Sequence, residues 1–246
     1  MKQRAFRAHR AEVQGWGERY TGNGGVGYSP RPRRRPRVAG VEIQSSSDIV
    51  SDAEKKSEDG AWQVLKSDEL YRNPYFALRR ETCLLPDERI MPAYYVWEMV
   101  DWVNVVALTT DGQLILVNQY RHAAKSRFIE FPGGTTEPAS NESHEQAAVR
   151  ELREETGYVP GTLHYLGMYF PNPGLQDNRM HVYLAIDCEW VGEPTLDPFE
   201  DIEVELANVA DFLDMFQHGG RPIHALMMAS LSMALPAIRK YCPNLP

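Results

Sequence analysis

Cysteine is scarce in this chain of 246 residues, with only Cys83, Cys188 and Cys242, far apart and odd in number. That spacing supports neither a disulfide framework nor a zinc knuckle, so a reducing, cytoplasmic compartment is the expectation. Long hydrophobic runs are missing as well. The longest, Ala225 to Ile238, is interrupted by Ser230, Ser232 and Pro236 and falls short of the roughly 18 apolar residues that a membrane span needs. No apolar stretch near the N-terminus reads as a secretory signal. His122, His144, His164, His181, His218 and His224 show no metal-ligand spacing, and no internal repeat is present. What remains, 43% apolar and 24% charged, has the composition of an ordinary globular protein.

Positive charge is in short supply beyond residue 40. Residues 1–40 hold ten Lys or Arg against two acids, a balance of +8, while the remaining 206 residues hold sixteen bases and thirty-two acids. An acidic body is a poor nucleic-acid binder, because phosphate contacts need clustered Lys and Arg. It can still handle phosphates where divalent cations mediate the contact. The basic end is rich in Gly, Pro and Arg, with Arg31-Pro-Arg-Arg-Arg-Pro-Arg37 followed by Ser45 to Ser47. Residues 1–58 are therefore expected to be a disordered extension that cannot bury enough apolar surface to offset ordering. A nucleic-acid tether or targeting arm is the alternative reading.

From Trp62 onward the periodicity changes. Strands are expected at 62–66 and 76–84, with a turn at Asp87-Glu88 before the aromatic run Tyr94-Tyr95-Val96-Trp97. The β-rich runs 103–109 and 114–119 flank Thr110-Asp111-Gly112, a strong hairpin signal. A helix over 143–156, strands near 163–170, 179–187 and 202–206, and helices at 208–217 and 222–240 complete a mixed sheet with helices packed on it.

The informative segment runs from Gly133-Gly134 through Glu142 to Tyr158. Ser143 with Gln146 forms a capping-box pattern that starts a helix, and Gly157 suits the left-handed position just past its end. Between these caps Ala148 and Leu152 mark a buried stripe. Glu151, Glu154 and Glu155 stand at i, i+3 and i+4, three carboxylates on one helical face. Such a cluster raises its members' pKa and costs stability unless something neutralises it. Arg150 can offset Glu154 at i+4; the others call for a cation, and carboxylate oxygens are the hard donors that Mg²⁺ or Mn²⁺ prefers. A solvated acidic face is the bland alternative, against which the paired glycines, both caps and the Arg-Glu spacing all weigh.

These residues resemble the Nudix box, whose usual form is Gly, five residues, Glu, seven residues, then Arg-Glu-apolar-x-Glu-Glu-x-Gly-apolar. Glu142, Arg150, Glu151, Leu152, Glu154, Glu155, Gly157 and Tyr158 occupy its fixed positions. Gly134 and Glu142 are separated by seven residues instead of five, an insertion in the loop Thr135 to Asn141. The resemblance implies a Nudix-type α/β/α sandwich over 59–246, with N-terminal strands at about 60–100 and a catalytic core at about 101–244. It also implies hydrolysis of a nucleoside diphosphate linked to another moiety. By position, Glu151, Glu155 and the carbonyl of Gly133 resemble the metal ligands, and Glu154 an additional ligand or a water-positioning carboxylate. Gly134, Glu142, Arg150 and Gly157 resemble the structural members of the box, Arg150 orienting the glutamates.

The flanks point to the ADP-ribose and nucleoside-diphosphate-sugar branch. Gln119-Tyr120-Arg121, Glu130-Phe131-Pro132-Gly133-Gly134 and Pro173, sixteen positions after Gly157, resemble its substrate-binding pattern. Arg121 can pair bidentately with phosphate, or serve in a surface ion pair. Glu200-Asp201-Ile202-Glu203-Val204 resembles the acidic loop that supplies the branch's catalytic base, Glu200 first and Glu203 second; an acidic surface loop is the alternative. Tyr94, Tyr95, Trp97 and Trp102 suit either base stacking or core and dimer contacts. The resemblance implies Mg²⁺ (Mn²⁺ as an option), a nucleoside diphosphate sugar as substrate and a homodimer. Two other readings stay open: an enzyme of triphosphates or RNA 5′ ends, and a non-catalytic nucleotide-binding module.

Overall fold

A computed structural model describes residues 60–137, 141–219 and 221–241. The expected disordered extension at 1–58 lies outside the described residues, as does the middle of the inserted loop. Three strands come first: β1 (Gln63–Arg72), β2 (Phe76–Leu84) and β3 (Ile90–Met99). They form an antiparallel sheet of their own in the order β1-β2-β3. The main sheet follows, with β4 (Trp102–Thr109), β5 (Gln113–Arg121), β6 (Ser126–Glu130) and β7 (Gly133–Thr135) ahead of helix α1 (His144–Thr156). Strands β8 (Tyr158–Val159), β9 (Thr162–Tyr169), β10 (Met180–Trp190) and β11 (Ile202–Asn208) precede α2 (Val209–His218) and α3 (Ala225–Tyr241). The order β11-β5-β4-β10-β8 is mixed: β4 and β10 run parallel, and the other pairs are antiparallel.

Strand alternation explains the layering. Side chains one apart on a strand point to opposite faces, and β4 is apolar at almost every position, the pattern of a strand covered on both sides. Val103, Val105 and Ala107 pack with Ala147, Ala148 and Leu152 of α1. Val106 and Leu108 pack with Phe212, Leu213, Met227 and Leu231 of α2 and α3. Strands β5 and β10 divide in the same way, Ile115 and Ala185 toward α1, Leu116 and Leu184 toward α2 and α3. The expected α/β/α sandwich is thus the observed architecture.

Three short strands, β6, β7 and β8, were not expected from the pattern. The β5–β6 hairpin turns through His122 to Lys125, closed by the Lys125 amide donating to the His122 carbonyl at 3.1 Å. The segment His122-Ala-Ala-Lys125 contains none of the Gly, Pro, Asn or Asp that usually mark a turn, and Lys125 takes φ of 52° unaided. Strand β1 also extends to Arg72, beyond the expected 62–66.

The N-terminal sheet is fastened to the main domain by the segment after β9. The Trp97 amide donates to the Leu175 carbonyl at 2.7 Å, the Asp177 amide returns a bond to Trp97 at 3.2 Å, and Tyr94 Oη donates to the Gly174 carbonyl at 3.0 Å.

Leu152 is fully buried on the face of α1 that meets the sheet. Leu152→Ala is expected to destabilise the domain by about 2–5 kcal/mol, measurable as a lowered urea midpoint at unchanged m-value.

Candidate active site

Helix α1 is placed by its ends. Ser143 Oγ accepts from the Gln146 amide at 3.2 Å while Gln146 Oε1 accepts from the Ser143 amide at 2.9 Å, so both halves of the capping box are formed. At the other end Gly157 has φ of 79° and its amide donates to the Arg153 carbonyl at 2.9 Å. A Cβ there would stand 2.0 Å from the Gly192 carbonyl oxygen, so only glycine fits.

The carboxylates of α1 point toward β7. Glu155 is buried, and its Oε2 accepts from the Gly133 amide at 2.9 Å. Glu151 lies so close to Gly134 that a Cβ on that glycine would meet Glu151 Oε1 at 2.4 Å. Glu154 is the exposed member, 43% accessible. Arg150 binds the set together. Its Nε and Nη2 donate to the two oxygens of Glu142 at 2.8 and 3.0 Å, its Nη1 to Glu151 and Glu154 at 3.0 Å each, and Nη2 also to the Thr135 carbonyl at 2.9 Å. One guanidinium thereby spans the loop, the helix and β7, with bonds to three glutamates.

That single cation does not balance the charge. Burial pushes Glu151 up to about 7; Arg150 opposes the shift, and the charges of Glu154 and Glu200 add to it. Burial drives Glu155 well above the usual carboxylate range, the Gly133 amide opposing and Glu151 and Glu200 reinforcing. Two carboxylates largely out of solvent, their repulsion only partly offset by Arg150 and the Gly133 amide, offer the oxygen donors that suit a hard divalent cation. Glu142, held by Arg150, is instead kept below its ordinary value.

Across from the helix stands a second group. Arg121 grips Glu130 with both arms of its guanidinium, Nε donating to Oε1 at 2.9 Å and Nη2 to Oε2. Glu130 is buried, while half of the Arg121 side chain is accessible. Burial favours the neutral acid at Glu130, but Arg121 and His224 outweigh it and hold the carboxyl below its ordinary value. The charges of Glu155 and Glu200 reach Arg121, which places this pair beside the α1 cluster.

The two residues expected as base are separated by the turn before β11. Glu200 closes that turn, its Oε2 accepting from the Asp197 amide at 2.9 Å, and its charge is felt at Glu151, Glu155 and Arg121. Glu203 lies on β11 opposite Asn118, largely exposed, 3.8 Å from Arg127. Pro173 is not brought to this group: it lines a cavity of about 330 Å³ with Tyr94, Val96, Phe170 and Leu175, and none of the box carboxylates lines it. Tyr95 and Trp97 are exposed on the N-terminal sheet, and Trp102 is half-buried at the start of β4. The structure also assembles a group the spacing gave no sign of, Asp101, His144 and His181, with donor atoms within 4.8 Å of one another.

Comparison with known proteins gives the family. Residues 100–229 match the NUDIX domain and residues 62–97 the nucleoside diphosphate sugar hydrolase N-terminal domain. The chain belongs to the Nudix family, as an enzyme of its hydrolase class. It is 32% identical over 140 residues to an ADP-ribose pyrophosphatase of Bacillus subtilis, covering 55% of this chain and 75% of that protein. An ADP-ribose pyrophosphatase of Mycobacterium tuberculosis is 35% identical over 133 residues, covering 54% of this chain and 63% of the relative. Among solved structures, an ADP compounds hydrolase superposes with a TM-score of 0.63 at 20% identity, over 73% of this chain and 95% of that one.

The two glycines of β7 are expected to fail differently. At Gly133 a Cβ would lie 2.2 Å from the Val103 carbonyl, whereas at Gly134 it meets only the end of the Glu151 side chain. Gly133→Ala is expected to cost about 1–3 kcal/mol in stability. Gly134→Ala is expected to keep the fold by circular dichroism, the flexible Glu151 side chain giving way, and to lower the melting temperature less than Gly133→Ala does.

Proposed function

We propose that this protein hydrolyses the diphosphate bond of ADP-ribose or another nucleoside diphosphate sugar, releasing a nucleoside monophosphate and a sugar phosphate, with Mg²⁺ as cofactor and Mn²⁺ as a substitute. The observation that carries the reading is the packing of Glu155 on the Gly133 amide and of Glu151 against Gly134, with the charges of Glu155 and Glu200 felt at the half-exposed guanidinium of Arg121. The N-terminal domain match and the names of the two relatives support the substrate class.

Glu151, Glu155 and the Gly133 carbonyl would hold the metal, with Glu154 as a further ligand or the carboxylate that positions water. Bound there, the cation would neutralise the diphosphate, polarise its phosphorus–oxygen bonds and acidify a water. Arg150 keeps the glutamates in place. Glu130 presents Arg121 with its free face toward a phosphate, where a guanidinium pairs bidentately. Glu200 accepts the proton of the attacking water; Glu203, turned toward Arg127, is the second candidate. Pro173, with Tyr94 and Phe170, offers an apolar wall that suits the flat face of a nucleobase.

The working unit is proposed as residues 59–246, acting as a homodimer through the N-terminal sheet, whose Trp62, Tyr71, Tyr75, Tyr95 and Trp97 are exposed. A cytoplasmic location fits the free thiols of Cys83 and Cys188. No described helix is long and apolar enough to cross a membrane, and neither membrane nor nucleic acid is proposed as a partner.

The test is a phosphatase-coupled assay with Mg²⁺ over ADP-ribose, GDP-mannose, UDP-glucose and NADH, alongside nucleoside triphosphates followed by pyrophosphate release. Sugar-nucleotide turnover is expected. Turnover of triphosphates alone would move the protein to another substrate class, and tight binding without turnover would make it a binding module. Glu154→Gln should lower kcat by about a hundredfold or more with the fold intact, and Glu200→Gln should cost far more activity than Glu203→Gln.

A further inference from the structure

The Asp101, His144 and His181 cluster takes no part in the chemistry above. Asp101 lies at the β3–β4 junction, His144 is the first residue of α1, and His181 is the second residue of β10. Nε2 of His144 and Nε2 of His181 each stand 3.4 Å from the same oxygen, Asp101 Oδ2. The two imidazoles stack, centroids 3.6 Å apart and planes at 18°. Donors around a tetrahedral ion with bonds of about 2.0–2.1 Å are roughly 3.3–3.4 Å apart, so both nitrogen–oxygen separations suit a shared ion.

The surroundings fix the donors in place. Asp101 Oδ1 accepts from the Arg179 amide at 2.7 Å, leaving Oδ2 toward the rings. Tyr165 Oη stands 3.2 Å from His181 Nδ1, the outer contact that sets the tautomer and orientation of a metal-binding imidazole. His181 is buried, its ring held between the His144 ring and Tyr165. The competing positive charge is Arg179, whose Nη1 is 3.9 Å from Oδ2 while its guanidinium rests 5.8 Å from the centre of the Phe170 ring.

We infer that Asp101, His144 and His181 form a second metal site, separate from the box carboxylates and selective for a borderline divalent ion such as Zn²⁺ or Co²⁺. Two imidazoles and one carboxylate favour such ions, whereas Mg²⁺ takes oxygen donors. Binding requires the stacked rings to open so that each lone pair faces the ion, and His144, partly exposed at the helix start, is the one free to swing. The bound ion would tie the first turn of α1 to β4 and β10, on the helix that carries Glu151, Glu154 and Glu155. Three protein donors leave a position for water.

The test uses the full chain stripped with EDTA and titrated with Co²⁺, read by visible d–d absorption. One equivalent is expected to give the spectrum, displaced by Zn²⁺ and retained in excess Mg²⁺. His144→Ala and His181→Ala should each weaken Co²⁺ binding at least about tenfold, while Glu151→Gln should keep the spectrum and the Zn²⁺-induced rise in melting temperature. If His181→Ala does not fold, His144→Ala, on the more exposed ring, decides. The inference is overturned by an unchanged spectrum in His144→Ala, by loss of the spectrum in Glu151→Gln, or by no Co²⁺ or Zn²⁺ binding to the parent protein.

Discussion

The Arg150 guanidinium is the contact on which the rest of the site depends. Glu142, Glu151 and Glu154 each accept from it, and so does the carbonyl of Thr135. Without that positive centre, three acids and the buried Glu155 would face one another across a short loop, and like charges at such range oppose folding. With it, the loop before the helix, the helix and β7 are held in a single register. Burial raises the pKa of Glu151 and Glu155, and the charges of neighbouring carboxylates add to the rise. Structural need and chemical use are thereby divided: Glu142 is held by Arg150 below its ordinary pKa, while Glu151 and Glu155 are the pair proposed to hold a cation.

The geometry of β7 makes that division possible. Gly133 fits under the Val103 carbonyl and Gly134 under the Glu151 carboxylate because neither carries a Cβ. The same main chain donates its amide to Glu155. Two glycines thus let a strand edge approach a helix closely enough for backbone and side-chain oxygens to share one small volume.

Much of this was legible in the sequence because it is local. The capping box at Ser143, the left-handed Gly157 and the i, i+3, i+4 glutamates are all written within a single helix and need no knowledge of the fold. The apolar runs of β4 and β5 likewise announce strands covered on both faces. What was not legible depends on the path of the chain. The hairpin at His122 to Lys125 has no turn residues to reveal it, so β6 and the Arg121–Glu130 pair that it creates were invisible as a unit. Glu200 and Glu203, ranked first and second from the sequence, differ in place: Glu200 lies in the turn before β11, where its charge is felt at Glu151, and Glu203 lies on β11 beside Arg127. Asp101, His144 and His181 come from three distant elements, and no spacing rule joins them.

The parallel pairing of β4 with β10 has a kinetic consequence. Trp102 and Met180 are neighbours in that ladder, and the chain between them contains β5, β6, β7 and the whole of α1. Closing so long a loop must be paid in entropy before its contacts return anything, which makes such topologies slow to fold. Helix α1 sits inside that loop, and its buried face rests on residues from both strands. The buried face of α1 thus gains its backing only when both strands are in place, so the position of the carboxylate cluster is set by closure of the whole sheet and not by the helix alone.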